Sequence, residues 1–198
     1  MITTRKQKLF ITALALIAAL GLTACSSQEP SNNNNTQQTG DAPVQTGSAF
    51  SSMETKDLEG NDVDGTVFAD QKLTFVNTWN IGCTPCVEEI PFLNQLNEEY
   101  AEKGVAFKGL YYSMTPEIGD EEKAEIEKIL SDAEADYQQL TISESMFEHE
   151  EISGIQAFPT TFVVNSDGEI LDTILGSNTY DGWKETIEKY LAQVEDNE

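Results

Sequence analysis

Two cysteines three residues apart, Cys83 and Cys86, carry the strongest chemical signal in the sequence. A disulfide between them closes a very short loop, so it removes little entropy from the unfolded chain and stabilises little. Residues i and i+3 share one face of a helix, which lets the two thiols meet. A cysteine at a helix N-terminus is favoured as the thiolate by the helix dipole and by free N–H groups. Because the thiolate is the reactive nucleophile, this spacing indicates redox chemistry.

The cysteines lie where an apolar strand pattern gives way to a helical one. The run Lys72–Trp79 is continuous and apolar, which predicts a buried central strand. From Thr84 to about Lys103, apolar side chains recur every three or four positions, which predicts a helix with Pro85 in its first turn. We therefore expect the pair at a strand-to-helix junction, with Cys83 at or just before the helix start.

The rest of the domain alternates between strand and helix patterns. Strands are predicted over Phe50–Asp57, Asp62–Phe68, Val105–Tyr112, Gln138–Ile142, Thr160–Val164 and Glu169–Leu175, and helices from Thr115-Pro116, over Met146–Ile152 and over about Thr179–Val194. The central β-α-β-α-β order predicts parallel strands with right-handed crossovers, and Asn165-Ser166-Asp167-Gly168 predicts a hairpin. The expected fold class is α/β, with an N-terminal β extension and a central mixed sheet flanked by helices on both faces.

The N-terminal region is typical of an exported protein. Residues 1–24 combine a basic start with an apolar run of 14 residues, too short for a transmembrane helix. The run ends in Leu22-Thr23-Ala24-Cys25, which resembles a bacterial lipobox, in which the cysteine becomes a lipid-carrying N-terminus after cleavage. Residues 25–48 are polar and predict a disordered tether. We therefore expect a lipid anchor at Cys25, a domain over residues 49–198, and a location on the extracytoplasmic side of the cell membrane.

Charge and cysteine content narrow the function further. The formal net charge of −24 argues against binding nucleic acid or an anionic membrane surface by charge. With Cys25 assigned to the lipid, the domain keeps one close-spaced pair and no wider disulfide framework. An exported protein of this kind is expected to act on the thiols of other proteins.

Four sequence features together resemble the membrane-tethered thiol–disulfide oxidoreductases of the TlpA/ResA type, which have a thioredoxin fold. The first is Trp79-x-x-x-Cys83-x-x-Cys86 after a strand, and the second is Glu89-Ile90-Pro91 in the following helix. The third is Phe158-Pro159-Thr160-Thr161 at the start of a later strand, and the fourth is the Asn165–Gly168 hairpin. The resemblance covers roughly residues 45–195.

The expected mechanism uses both thiols. Cys83, at the helix start, is expected to attack a client disulfide, and Cys86, one turn further, to resolve the mixed disulfide. The TlpA/ResA type has a glutamate at the position of Glu89, where it could transfer a proton and raise the thiol pKa. Glu89 could equally be an exposed helix glutamate, and the sequence leaves this open. Asn77 stands where thioredoxins carry a buried aspartate, and because an asparagine cannot titrate, Glu89 is the better proton candidate.

The resemblance also implies a client-binding surface. Pro159 matches the cis-proline that faces the cysteines in this fold, which would turn the backbone of Phe158 outward to pair with an extended client chain. We assign Phe158, Pro159, Thr160 and Trp79 to this surface, with Trp79 packed beneath the cysteines. The alternative for Pro159 is an ordinary strand-initiating proline.

The leading prediction is a lipid-anchored extracytoplasmic thiol–disulfide reductase. No cofactor motif appears, so the resemblance implies a membrane thiol transporter of the CcdA/DsbD type as electron donor. Clients would be exported disulfide-containing proteins, such as apocytochrome c or a methionine sulfoxide reductase.

Other interpretations of the cysteine pair remain open. The same motif serves disulfide-forming oxidases, because direction depends on reduction potential. A copper-binding lipoprotein would use the two thiolates as soft ligands. A structural disulfide is also conceivable, as is half of a zinc site. Zinc needs four ligands, however, and the one histidine, His149, is expected at the surface in an acidic stretch.

Overall fold

The protein is described by a computed structural model over residues 48–115 and 117–195. The signal sequence, Cys25 and all of the tether except residue 48 lie outside the described residues, so those predictions remain untested. In the described part of the chain, no helix is both long and apolar enough to cross a membrane.

Strands and helices alternate along the domain. The strands are β1 (Glu54–Lys56), β2 (Asp62–Asp64), β3 (Leu73–Trp79), β4 (Val105–Tyr111), β5 (Gln139–Thr141), β6 (Thr160–Asn165) and β7 (Ile170–Leu175). The helices are α1 (Thr84–Tyr100), α2 (Asp120–Asp132), α3 (Glu144–Phe147), α4 (Glu150–Ser153) and α5 (Tyr180–Glu195), with short 3-10 turns at Gly65–Phe68 and Ala101–Lys103.

The central sheet is mixed, as expected. Its strand order is β5-β4-β3-β6-β7, in which β3, β4 and β5 run parallel and β6 and β7 are antiparallel to their neighbours. A separate antiparallel pair, β1 and β2, forms the N-terminal extension. The predicted fold class is therefore confirmed.

The sheet is covered on both faces, which is why β3 is buried along its whole length. Alternate residues of a strand point to opposite faces. Phe75 and Trp79 join a core with side chains of α1 and α5, whereas Val76 joins a second core with the N-terminal segment and the short helices α3 and α4. This two-sided packing fixes the end of β3, where the cysteine turn begins.

Several predicted boundaries were wrong. β1 and β2 are shorter than Phe50–Asp57 and Asp62–Phe68, because Phe50 and Phe68 pack edge to face in turns outside the strands. Helix α2 begins at Asp120 and not at Thr115-Pro116. The Thr115 hydroxyl donates to the carbonyl of Glu117 and so does not cap a helix, while three acidic residues from Asp120 onward favour the helix N-terminus.

The prediction for His149 was also wrong. The helix expected over Met146–Ile152 is two short helices that meet at His149. The side chain of His149 is buried, with Nε2 3.4 Å from the Ser52 hydroxyl and Nδ1 3.9 Å from Glu151. The break between α3 and α4 turns this side chain inward, and the acidic neighbours in sequence gave no sign of it.

Candidate active site

Cys83 and Cys86 form a disulfide at the N-terminus of α1. Cys83 is the N-cap residue, and its Sγ lies 3.3 Å from the backbone N of Cys86, which donates to it. Pro85 lies in the first turn, where its missing N–H costs no hydrogen bond. Cys83 retains 9% of its surface while Cys86 is fully buried. Cys83 is therefore the sulfur that a second protein can reach.

The turn before Cys83 is fixed by short hydrogen bonds. The side chain of Asn80 accepts from the N–H of Gly82 at 2.9 Å, and its carbonyl accepts from the N–H of Cys83 at 3.1 Å. Asn80 follows directly on β3, so the buried strand places the reactive sulfur. The sequence predicted this junction correctly.

Trp79 supports this turn from below. Its ring is fully buried, packs edge to face on Tyr111 at 5.1 Å, and donates through Nε1 to Gln139 at 3.0 Å. The side chain therefore lies under the cysteine turn and does not contact solvent. Gln139 was not identified from the sequence, because one polar residue in a short strand gives no functional signal.

The Phe158–Pro159 peptide bond is cis. β6 begins at the next residue, and its register pairs Thr160 with Thr78 at the end of β3. Pro159 therefore lies beside the end of the strand that leads to Cys83. Phe158 is half-buried against the core, while Thr160 is buried and donates its hydroxyl to the carbonyl of Ala157 at 2.8 Å. Thr160 thus holds the proline loop, in which Phe158 keeps part of its surface exposed beside the buried Pro159.

Glu89 is buried, with only 2% of its surface exposed, which settles the question that the sequence left open. Its Oε1 accepts from Nδ2 of Asn77 at 2.9 Å. Its Oε2 accepts from the backbone N of Asn178 at 3.0 Å and from the indole nitrogen of Trp183 at 3.1 Å. Burial raises the pKa of Glu89, although these three hydrogen bonds oppose the shift. It lies one turn from Cys86 on α1 and is a buried acid that keeps its proton to a higher pH than an ordinary glutamate does.

Two partners of Glu89 were not identified as site residues. In the sequence, Trp183 is one of several apolar positions on the face of an amphipathic helix, and Asn178 contributes only its backbone. Asn77 also donates from Nδ2 to the hydroxyl of Thr161 at 2.9 Å, which connects Glu89 to the strand after Pro159. Such contacts depend on tertiary structure that no local pattern encodes.

A surface cleft of about 990 Å³ lies next to this region. Its floor includes Tyr112, whose ring packs on Phe158 at 5.2 Å and on Phe147 at 6.2 Å. Tyr112 also donates its N–H to the carbonyl of Trp79 at 2.8 Å, so the cleft begins beside the cysteine turn. Met114 and Phe147, which line it, are 80% and 47% exposed. The arrangement gives a row of apolar side chains that leads away from Phe158.

The chain matches known thiol–disulfide proteins over most of its length. The family model for Redoxin matches residues 38–191. ResA of Geobacillus thermodenitrificans, a thiol–disulfide oxidoreductase, is 28% identical over 184 residues, which cover 93% of this chain and 92% of that protein. ResA of Bacillus thuringiensis subsp. konkukian is 28% identical over 138 residues, 70% of this chain and 72% of the relative.

Solved structures support the fold. A thioredoxin-family thiol:disulfide interchange protein of Chlorobium tepidum superposes with a TM-score of 0.59 at 19% identity, over 71% of this chain and 93% of that one. StoA of Bacillus subtilis gives a TM-score of 0.51 at 21% identity, over 67% of this chain and 93% of that one. The disulfide at the start of α1 lies inside the matched region. The chain therefore belongs to the Redoxin family, and within it to the thiol–disulfide oxidoreductases of the TlpA/ResA type.

Proposed function

We propose that this oxidoreductase is an extracytoplasmic reductase of disulfides in exported proteins, held at the membrane by a lipid on Cys25. The observation that carries the proposal is the asymmetry of the disulfide. Cys83 keeps 9% of its surface exposed and caps α1, whereas Cys86 is fully buried one turn further along the same helix. This arrangement suits attack by the first sulfur and resolution by the second.

The reaction begins with both cysteines reduced. The thiolate of Cys83 attacks a client disulfide, forms a mixed disulfide and expels the first client thiolate. The thiolate of Cys86 then attacks Sγ of Cys83, which forms the Cys83–Cys86 disulfide and releases the second client thiolate. The client gains two electrons, and the enzyme loses two and enters the disulfide state described above. The helix dipole and the N–H of Cys86 stabilise negative charge on Cys83.

Glu89 is proposed to exchange the proton of Cys86. Resolution needs the Cys86 thiol to lose its proton, and Cys86 is fully buried, so solvent does not reach it directly. Glu89 lies one helical turn away, is itself buried, and has a raised pKa caused by that burial. A carboxylate in this position can accept the thiol proton and return it in the next cycle.

The client is proposed to bind across Phe158 and the apolar side chains of the adjacent cleft. An extended chain can pair with exposed backbone beside Pro159, as in other strand-addition complexes. Its flanking side chains would then meet Tyr112, Phe147 and Met114, which continue from Phe158 along the cleft. Exposed apolar side chains in a row are typical of an interaction site.

Electrons for the next cycle are proposed to come from a membrane thiol transporter of the CcdA/DsbD type. The TlpA/ResA resemblance supports this donor, and apocytochrome c or a methionine sulfoxide reductase are the proposed client classes. Membrane attachment rests on the Leu22–Cys25 sequence. Replacement of Cys25 by alanine should release the protein from the membrane fraction, and retention of this variant there would contradict the anchor.

The test of the proposal is capture of clients by a Cys86→Ser variant in cells. Without the resolving thiol, mixed disulfides through Cys83 should accumulate and be released by dithiothreitol. A Cys83→Ser, Cys86→Ser double variant is the matched control and should capture nothing. If the single variant captures no more protein than the double variant, the proposal is wrong.

The direction of electron flow depends on the reduction potential of the Cys83–Cys86 pair. A reductase is expected near the potential of thioredoxin, about −270 mV, and a strong oxidase near about −120 mV. A measured potential near the oxidising end of this range would indicate a disulfide-forming oxidase and not a reductase. Copper titration of the reduced protein, with Cys83→Ser as the control, distinguishes a copper-binding role from the reductase and oxidase roles.

A further inference from the structure

The hydrogen bonds around Glu89 are not shared equally between its two oxygens. Each oxygen of an ionised carboxylate has two lone pairs that can accept. Oε2 accepts from Asn178 at 3.0 Å and from Trp183 at 3.1 Å, so both of its lone pairs are used. Oε1 accepts from Asn77 at 2.9 Å, which leaves one lone pair on this oxygen. The proton of Glu89 can therefore bind Oε1 without breaking any of the three hydrogen bonds.

We propose that Trp183 is a positioning residue for thiol–disulfide exchange, because its indole N–H occupies Oε2 of Glu89 and directs the exchanged proton to Oε1. This inference rests on the proposed proton transfer by Glu89. It goes beyond that role because it assigns a function to a residue of α5, the last helix of the domain.

Trp183 is suited to this task by its rigidity and its chemistry. The ring is fully buried and packs edge to face on Phe75 at 6.2 Å and on Phe107 at 6.3 Å, so it cannot turn away from the carboxylate. The indole nitrogen is a donor only and has no lone pair to accept a proton from Oε2. A protonated Oε2 would face this donor at hydrogen-bond distance, which excludes it as the site of protonation.

The groups that surround Glu89 show what removal of the indole N–H would do. Its three hydrogen-bond partners are neutral, and they come from β3, from α5 and from the segment before α5. The titratable groups on the other sides are Cys86 on the same helix and Tyr137 before β5. Burial raises the pKa of Tyr137, and the charge of Glu89 adds to this effect. With no cation among these groups, the donors alone favour the ionised carboxylate, so loss of one donor should strengthen proton binding.

The experiment compares Trp183→Phe with Tyr100→Phe in the reduced full-length protein. Both variants remove one hydrogen bond that an aromatic side chain of the same core donates to a glutamate, but Tyr100 donates to the exposed Glu188 and not to Glu89. The carboxyl carbons are labelled with 13C, and the Glu89 signal is identified by its loss in Glu89→Gln. We expect Glu89 to bind its proton about tenfold more tightly in Trp183→Phe and with unchanged affinity in Tyr100→Phe.

The pH profile of client reduction should move upward with the Glu89 titration in Trp183→Phe. If Glu89 titrates as in the wild-type protein, or if Tyr100→Phe causes the same change, the positioning role is wrong. Should Trp183→Phe not fold, replacement of Trp183 by benzothienylalanine keeps the ring shape and removes only the N–H. The same criteria then apply to that variant.

Failure of the underlying proton role has a separate signature. If Glu89→Gln reduces clients with the wild-type pH profile, Glu89 does not exchange the proton, and the proposed function of Glu89 is overturned together with the positioning role of Trp183. If Glu89→Gln alters the profile and Trp183→Phe does not, only the inference about Trp183 is overturned.

Discussion

At the scale of single residues, Glu89, which we propose to exchange a proton during the reaction, also affects the stability of the fold. Burial makes its ionised form costly, and the pKa in the folded protein is raised above the value of the unfolded chain. Below the unfolded pKa, about 4.3, the group is protonated in both states and contributes no pH dependence. As pH rises from there through the folded pKa, the unfolded state ionises first, so the folded state loses stability.

Replacement of Glu89 by glutamine should remove this loss of folding stability with rising pH, because glutamine does not ionise. We expect Glu89→Gln to become more stable than the wild-type protein as pH rises through this window, by about 1.4 kcal/mol for each unit of pKa elevation. Asn77 can accommodate the amide, because among the described residues its buried Oδ1 has no hydrogen-bond partner. Urea unfolding at a series of pH values measures the difference. Glu88→Gln, at the exposed neighbouring position, is the control. If the difference in unfolding free energy between Glu89→Gln and wild type stays constant across the pH range, the expectation is contradicted.

Residue-level prediction succeeded where covalent spacing or backbone chemistry carried the signal. The interval between Cys83 and Cys86 was sufficient to predict the disulfide, and the resemblance correctly predicted a cis bond at Pro159. Burial of individual polar side chains was not predictable in this way. Glu89 and His149 both lie in acidic, helical sequence, and both are buried because neighbours distant in sequence, Trp183 and Ser52 among them, close over them.

At the scale of elements, the β6–β7 hairpin fixes the N-terminal edge of the domain. Gly168 in its turn has φ of +76°, and a Cβ there would lie 2.6 Å from Cα of Ser51. Ser48 donates its hydroxyl to the carbonyl of Gly168, so the segment that enters the domain packs directly on this turn. The hairpin therefore holds the start of the domain as well as the strand after Pro159.

Replacement of Gly168 by alanine should destabilise the protein more than the same change at Gly60. Both glycines have positive φ, but a Cβ at Gly60 meets no atom within 4 Å. Gly60→Ala should cost about 1 to 2 kcal/mol from backbone conformation alone. Gly168→Ala should cost about 1 to 3 kcal/mol more because of overlap with the Ser51 backbone. Chemical denaturation of both variants measures this, and equal losses would show that the contact with Ser51 is unimportant.

Element order and type followed from the sequence more closely than element ends. Continuous apolar runs predicted β3 and β4, and three-to-four residue spacing predicted α1 and α5. The start of α2 was misplaced because Thr115 and the following proline imitate a helix cap, while the acidic residues from Asp120 set the real start. Local hydrogen bonds of this kind compete with capping, and the pattern of residue types does not show which one forms.

At the scale of the whole molecule, charge should select clients. The chain has 35 acidic and 11 basic residues, and a net charge of this size creates a long-range field that attracts basic proteins and repels acidic ones. Salt screens such a field, with a screening length of about 10 Å at 0.1 M ionic strength. Contacts with the apolar side chains of the cleft, such as Phe147 and Met114, depend little on salt. Ionic strength therefore separates long-range electrostatic attraction from apolar contact at the site.

Consider two peptide substrates that each contain a disulfide, one flanked by lysines and the other by glutamates. Their rates of reduction should respond to salt in opposite ways. Reduction of the lysine peptide should slow several-fold when sodium chloride is raised from about 10 mM to about 500 mM, and reduction of the glutamate peptide should accelerate. Stopped-flow measurement under second-order conditions gives both association rates. A neutral peptide with flanking serines is the control for salt effects on the chemical step. If all three peptides change by the same factor, the net negative charge has no part in client selection. Contacts with Phe158 and the cleft beside it would then be the main determinant of which disulfides react.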